Sequence, residues 1–242
     1  SKQMKRGAVV VGKRRSANLK SFFHSLKPDV VLLDDGFQHI QLYRSLNIVL
    51  FDALLPLDRY KTAPMGYLRE GLSSLKDADV IIISRVDQVS EEKIEDLLTM
   101  LSAHHRKGIP IGKLVYKPSR IVDSFDQEIM DVGDLKGKKV LAVTAIAAPE
   151  SFYNMLEGFG AEIVHKKVYP DHYFFSHEDI NDILIESAKH DAIVMTSEKD
   201  MVKLRKVSKD SRIMSLNIDV KFLSGEEEIL QRIKKILNLD YN

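Results

Sequence analysis

The segment Val30-Val31-Leu32-Leu33-Asp34-Asp35-Gly36 constrains this chain more than any other. Consecutive apolar residues without polar alternation suit a strand covered on both faces, as in a parallel sheet. Two carboxylates close the run, and Gly36 lets the chain turn sharply after it. Open α/β sheets bind ligands at the carboxyl ends of their strands. A carboxylate at such a position can hold Mg2+ against nucleotide phosphates. A solvated Asp-Asp turn is the plainer alternative, so the segment alone leaves its chemistry open.

The pattern around it is strand alternating with helix. Short β-like runs are expected at 8–11, 30–33, 47–51 and 79–83. Between them, Leu19, Phe22, Phe23 and Leu26 make one apolar helix face ending at Pro28, and a second helix is expected from about Ser90 to His104. Right-handed βαβ crossovers make a doubly wound parallel sheet the natural outcome. From 108 to 139 glycines and prolines break the rhythm, around extended stretches at Lys113–Lys117 and Arg120–Phe125. The α/β rhythm then resumes, with strands at 140–144, 162–168 and 191–195. Helices are expected from Pro149, Ser176 and about Ser197, then extended residues 213–223 and a last helix from about Gly225 to Leu237. The expected organisation is a core lobe at 1–112, an extended linker at 113–139 and a smaller α/β lobe at 140–242.

Composition narrows the function classes. The 242 residues carry 36 basic and 35 acidic side chains, a net charge of +1, which gives no reason to expect a nucleic-acid partner. With no cysteine, thiol nucleophiles, thiolate metal sites and disulfides are all excluded. No apolar run approaches the ~18 residues of a spanning helix. Charge is nonetheless uneven: no acid precedes Asp29, whereas Lys2, Lys5, Arg6, Lys13, Arg14, Arg15, Lys20 and Lys27 all do. Such a stretch is either a solvated face or a surface for anionic headgroups and phosphorylated substrates.

Asp34-Asp35-Gly36-Phe37-Gln38-His39, with Leu42 and Arg44 following, is similar to the hallmark of the tetraacyldisaccharide 4'-kinases, the lipid A kinases. Pro64-Met65-Gly66-Tyr67-Leu68-Arg69-Glu70 resembles that family's Leu-Pro-Ala-Gly-x-Leu-Arg-Glu-Pro stretch. Pro149-Glu150-x-Phe152, Tyr169-Pro170-Asp171-His172-Tyr173 and Thr196-Ser197-Glu198-Lys199-Asp200 resemble later family segments, in the same order. Gly71 stands where the family usually has Pro, Ala145–Ala148 where it has a glycine-richer turn, and Ser197 where it has Thr.

The resemblance implies a P-loop-kinase-like core, incomplete here, with a second, smaller α/β lobe. It implies ATP- and Mg2+-dependent phosphorylation of the 4'-hydroxyl of a tetraacyldisaccharide 1-phosphate. Asp34 and Asp35 would hold Mg2+, and Glu70 would assist the metal shell. Arg69 would stabilise charge on the transferring phosphoryl group, and His172 would assist an aspartate base. Gln38 and His39 follow the acids closely enough to reach the nucleotide or the metal shell, or else hold their own loop. Ser84–Asp87, from a faint likeness to a GTPase base-reading loop rather than to this family, would put Asp87 near a nucleotide base. The expected partners are the acylated phosphosugar and a membrane surface, approached peripherally from the cytoplasmic side of the bacterial inner membrane. No nucleic acid or stable protein partner is implied.

One requirement is not met. A phosphate-wrapping loop needs G-x-x-x-x-G-K-[ST], whose amides cradle the phosphates. The near-match Gly7-Ala8-Val9-Val10-Val11-Gly12-Lys13-Arg14 fails, because its β-branched middle suits a strand and Arg14 replaces the Mg2+-binding hydroxyl. An N-terminally truncated kinase is therefore expected, with little or no activity in these residues alone. Two rivals stand beside it. Ser84-Arg85-Val86-Asp87 faintly resembles the base-reading loop of a switch-type ATPase or GTPase. A non-catalytic module that binds acylated phosphosugars is the other.

Overall fold

A computed structural model describes residues 7–39, 41–146 and 149–237. The chain forms two compact units, one of Ser1–Val115 with Phe222–Asn242 and the other of Tyr116–Lys221.

In the first unit, β1 (Ile48–Asp52), β2 (Val80–Ser84) and the opening of β3 (Ile111–Asp123) run parallel, with Ile48 opposite Val80 and Asp52 opposite Ser84. Val-Ile-Ile-Ile-Ser is buried along its whole length, as a central parallel strand requires. Helix α2 (Glu91–Ser102) begins where the Ser90 hydroxyl accepts the Lys93 amide, and it buries Ile94, Leu97 and Leu101. These side chains pack with Phe51, Ile81 and Ile83 in one core. A terminal helix, α6 (Glu226–Leu237), carries glutamates in its first turn and lysines in its last, complementing its dipole.

The second unit holds the rest of β3 together with β4 (Glu128–Met130), β5 (Lys139–Thr144), β6 (Glu162–Val168), β7 (Ile193–Ser197) and most of β8 (Ile213–Ser224). The strands lie in the order β3-β8-β7-β5-β6, with β4 antiparallel on β3 and β5–β6, β5–β7 and β7–β8 parallel. Val140 and Ala142 of β5 face α3 (Pro149–Gly158), whereas Leu141 and Val143 face α4 (His177–His190) and α5 (Glu198–Val207). Alternate side chains of one strand thus build two cores, one on each face of the sheet.

Helix α4 is capped reciprocally. The Ser176 hydroxyl accepts the Asp179 amide at 3.2 Å, and the Asp179 carboxylate accepts the Ser176 amide at 2.7 Å. Burial alone would raise the Asp179 pKa, but hydrogen bonds from Ser176 and Tyr173, with Lys167 nearby, hold it below its ordinary value. A depressed carboxylate stabilises the fold above its unfolded pKa and loses that contribution as pH falls through the folded one. Ser176→Ala should therefore cost ~1 kcal/mol in urea melts at neutral pH. The deficit should shrink as acid titrates Asp179.

The α/β class is borne out, but four expectations need correction. Residues 8–11 and 30–33 form no strand: among the described residues nothing pairs with them, and Leu32 is 82% exposed. Helix α1 (Arg15–Leu26) forms as its pattern requires, yet it buries none of its side chains, and Phe22, Phe23 and Leu26 stand about half exposed. The stretch at 113–139, expected as a linker or β-ribbon joining two lobes, does form an antiparallel ribbon of β3 and β4. With a short 3-10 turn and the start of β5, however, it lies within the folded units and is no linker. Finally, α6 belongs to the first unit, because β8 returns the chain there.

Candidate active site

The first unit carries a depression of about 1010 Å³ that runs along the whole of the edge strand β1 and includes its carboxyl end at Asp52. Asp34, Asp35, Gln38, Asp52, Arg69 and Glu70 all line it. The loop bearing the twin acids is fixed through its backbone. Arg15 donates to the carbonyls of Asp34 at 2.8 Å and Asp35 at 2.9 Å, and the His39 amide donates to the Gly36 carbonyl at 3.0 Å. Arg44 donates to the His39 carbonyl at 2.5 Å and to Asn47 Oδ1 at 2.7 Å. Gly36 is obligatory here, since an added Cβ would sit 2.6 Å from Leu33 Cβ. With the main chain held from behind, both aspartate side chains stand exposed at the depression.

Arg69 Nη1 reaches Asp35 Oδ2 at 2.5 Å. The two side chains are 70% and 57% exposed, so this pair adds little to stability and is better read as placement of charge. Arg69 is brought there by a tight loop. Tyr67 and Leu68 donate to the carbonyls of Arg59 and Lys61, and Ala63-Pro64 is a cis peptide. Gly66 is pressed against this turn so closely that a Cβ would lie 2.4 Å from the Arg59 carbonyl oxygen.

Oxygen donors of this kind suit Mg2+, which binds one or two carboxylates and retains several waters. Asp34, Asp35 and Glu70 share the depression but do not converge into a tight three-ligand cluster. That arrangement fits a Mg2+ bound to the protein by few ligands. Gln38 lines the depression, whereas His39 is part-buried, its backbone bonded at both ends and its Nδ1 without a partner.

Asp52 is distinguished by no motif, yet it lies at the carboxyl end of β1 within the depression. Arg85 grips both its carboxylate oxygens, with Nε at 2.8 Å from Oδ1. Tyr60 donates to the Asp52 carbonyl at 2.7 Å, and burial together with the Asp52 charge pushes the phenol up to about 12. Arg15 is equally hidden from sequence reasoning, one cation in a run of basic residues. Arg85 and Ser84, which bonds the Phe51 carbonyl at 3.1 Å, are turned to internal contacts, and Asp87 is exposed on a 3-10 turn.

His172 lies in the second unit, in a left-handed conformation with φ 61° and a side chain 76% exposed. Its Nε2 is 3.5 Å from Asp171 Oδ2, so the adjacent side chains do face each other. Lys199 approaches the other Asp171 oxygen at 3.6 Å. The turn is seated on an aromatic cluster of Tyr169, Tyr173 and Phe175, and burial raises the pKa of both phenols.

The Thr-Ser-Glu-Lys-Asp segment proves to be a structural lock. Asp200 is 0% exposed and accepts from the Ala145 amide at 2.9 Å, the Ser197 hydroxyl at 2.9 Å and Lys203 Nζ at 2.7 Å. Lys203 also donates to the Ala145 carbonyl at 3.1 Å.

Residues 2–238 match the family described as tetraacyldisaccharide-1-P 4'-kinase. A tetraacyldisaccharide 4'-kinase of Anaeromyxobacter sp. (strain Fw109-5) is 32% identical over 232 residues, 95% of this chain and 62% of that protein. One of Halothermothrix orenii is 32% identical over 243 residues, 94% of this chain and 63% of the relative. A crystal structure of LpxK from Aquifex aeolicus in complex with ATP superposes with a TM-score of 0.68 at 26% identity, covering 92% of this chain and 62% of its own. The chain thus spans somewhat less than two thirds of the length of these relatives.

Proposed function

Because the chain belongs to the tetraacyldisaccharide-1-phosphate 4'-kinase family, we propose that it carries the catalytic depression of an ATP-dependent lipid kinase. The acceptor is the 4'-hydroxyl of an acylated disaccharide 1-phosphate, met at the cytoplasmic surface of the bacterial inner membrane. The observation that carries this reading is the meeting of Asp34, Asp35, Gln38, Arg69 and Glu70 on one depression, with Arg69 resting on Asp35.

Phosphoryl transfer is catalysed chiefly by positioning and by opposing the charge that develops on the moving group. Arg15 and Arg44 fix the acidic loop, so Asp34 and Asp35 meet the nucleotide with little reorganisation. Mg2+, when bound by these carboxylates with Glu70 in its outer shell, would neutralise phosphate charge. Arg69 can exchange its hold on Asp35 for phosphate oxygens, as a guanidinium does well. Gln38 is in place for a polar contact to the nucleotide, while His39 and Asp87 are weaker candidates for the same role. On the second unit, His172, whose imidazole lies 3.5 Å from Asp171, is the side chain proposed to assist with the hydroxyl proton.

The test is transfer of the ATP γ-phosphoryl group to tetraacyldisaccharide 1-phosphate, with the product's new phosphate located by mass spectrometry. The chain should be assayed alone and completed with the remaining residues of the Anaeromyxobacter relative. The completed protein should form the 4'-phosphate and the 242 residues alone very little. Phosphorylation at another hydroxyl, or none by the completed and folded protein, would contradict the proposal.

A further inference from the structure

The second unit holds a group of side chains able to ligate a metal, apart from every residue assigned above to phosphoryl transfer. His165 of β6 and Glu186 and His190 of α4 each offer a ligand atom, and these atoms lie within 4.8 Å of one another. No other such group occurs among the described residues. We propose that His165, Glu186 and His190 form a Zn2+ site that fastens the edge strand β6 to the last turn of α4.

The juxtaposition depends on a local irregularity in the sheet. Val140 pairs with Ile163, but the next residue, Leu141, pairs with His165, so Val164 is an extra residue in β6. Ile163 lies with Val140 on the α3 face, whereas Leu141 belongs to the core beneath α4. Without the bulge His165 would share the face of Ile163. With it, the imidazole turns toward α4, as does Lys167 two residues on, which approaches Asp182 at 3.8 Å. Bulges commonly re-aim a side chain in this way.

On α4, Glu186 and His190 are one helical turn apart and therefore on one face. His190 Nε2 contacts Glu186 Oε1 at 2.9 Å, and the His165 and His190 rings stack with centroids 5.4 Å apart. All three side chains are part-buried, so solvent does not fully disperse them. Two imidazoles and one carboxylate form a ligand set typical of Zn2+ with water in the fourth position, and a poor one for Mg2+. Bonds of ~2.0–2.2 Å place tetrahedral ligand atoms roughly 3.4 Å apart. To reach it, the two imidazoles turn out of their present stacked arrangement, in which their planes are 16° apart, so that their in-plane lone pairs converge. Lys189, 3.3 Å from Glu186 and largely exposed, is free to swing into solvent as the ion enters.

Zn2+ titrated into the metal-free 242-residue chain against a chromophoric chelator should show one tight site. Co2+ in its place should give the intense visible bands of tetrahedral coordination. His165→Ala, His190→Ala and Glu186→Gln should each weaken binding at least tenfold. Zn2+ should raise the thermal midpoint of the parent chain and not of these variants, whose far-UV circular dichroism without metal should match the parent. Millimolar Mg2+ should not displace the ion. Absence of a tight site, or binding that survives these changes and disappears instead when the adjacent His104 and His105 are replaced, would overturn the assignment.

Discussion

Asn in place of Asp35 should lower kcat of the completed kinase by about 10²–10³-fold, the effect of removing one preorganised electrostatic interaction from a transition state. The substitution keeps the shape of the side chain and leaves its main chain in the grip of Arg15. It removes the charge that would bind the cation and that also holds Arg69 at 2.5 Å. Because the Asp35 side chain is more than half exposed, folding should be almost unaffected, and the thermal midpoint should stay within a degree or two of the parent. Steady-state kinetics with varied ATP and Mg2+ would separate the two effects. An effect confined to KM would mean that Asp35 binds substrate without favouring the transition state.

The largest expected effect on stability lies in the other unit. Asp200→Ala should cost about 3–5 kcal/mol, because it leaves the Ala145 amide and the Ser197 hydroxyl without their acceptor and the part-buried Lys203 ammonium with only the Ala145 carbonyl. For a chain of this size that corresponds to a fall of roughly 6–20 °C in Tm. Calorimetry of the variant checks it. Asp200→Asn retains acceptance by one oxygen and should recover part of the stability. An unchanged midpoint in the alanine variant would show that Ala145, Ser197 and Lys203 find other partners.

These two aspartates show how far the sequence can be read. Asp34 and Asp35 stand out because an apolar run leads directly into them, and the resemblance of the following Gly-Phe-Gln-His supplies a chemistry. Asp200 also lies in a recognisable segment, but nothing in Thr-Ser-Glu-Lys-Asp distinguishes a carboxylate that bonds a backbone amide across 55 residues from one that meets solvent. Helices α2 to α6 are legible because each has an apolar period, reinforced at α2, α4 and α5 by a start signal at Ser90, Ser176 or Ser197. The central strands β2 and β5 are legible from unbroken apolar runs. The same rule fails at 30–33, because apolar runs make strands only where a neighbour completes the ladder.

Arg15, Asp52 and Arg85 escape sequence reasoning for a related reason. Their significance arises from contacts across 19 to 33 residues of chain, and no local spacing encodes those. The division into units is not legible at its end, since an amphipathic helix such as α6 reports that it has a buried face without saying which core receives it. His165 is the most instructive case. Strict alternation along β6 would turn it away from α4, and only the extra residue at Val164 reverses its direction.

The proposed chemistry rests on Asp34 and Asp35 holding a divalent cation beside a nucleotide triphosphate. Electron–nuclear double resonance on Mn2+ bound with ATP to the completed chain tests this most directly. With 13C-labelled aspartate carboxylates, coupling of Mn2+ to carboxylate carbon should be present in the parent and lost or diminished, at equal metal and ATP, in Asp34→Asn and Asp35→Asn. The same coupling at undiminished occupancy in both variants would place the cation elsewhere and contradict the proposed role of the twin acids.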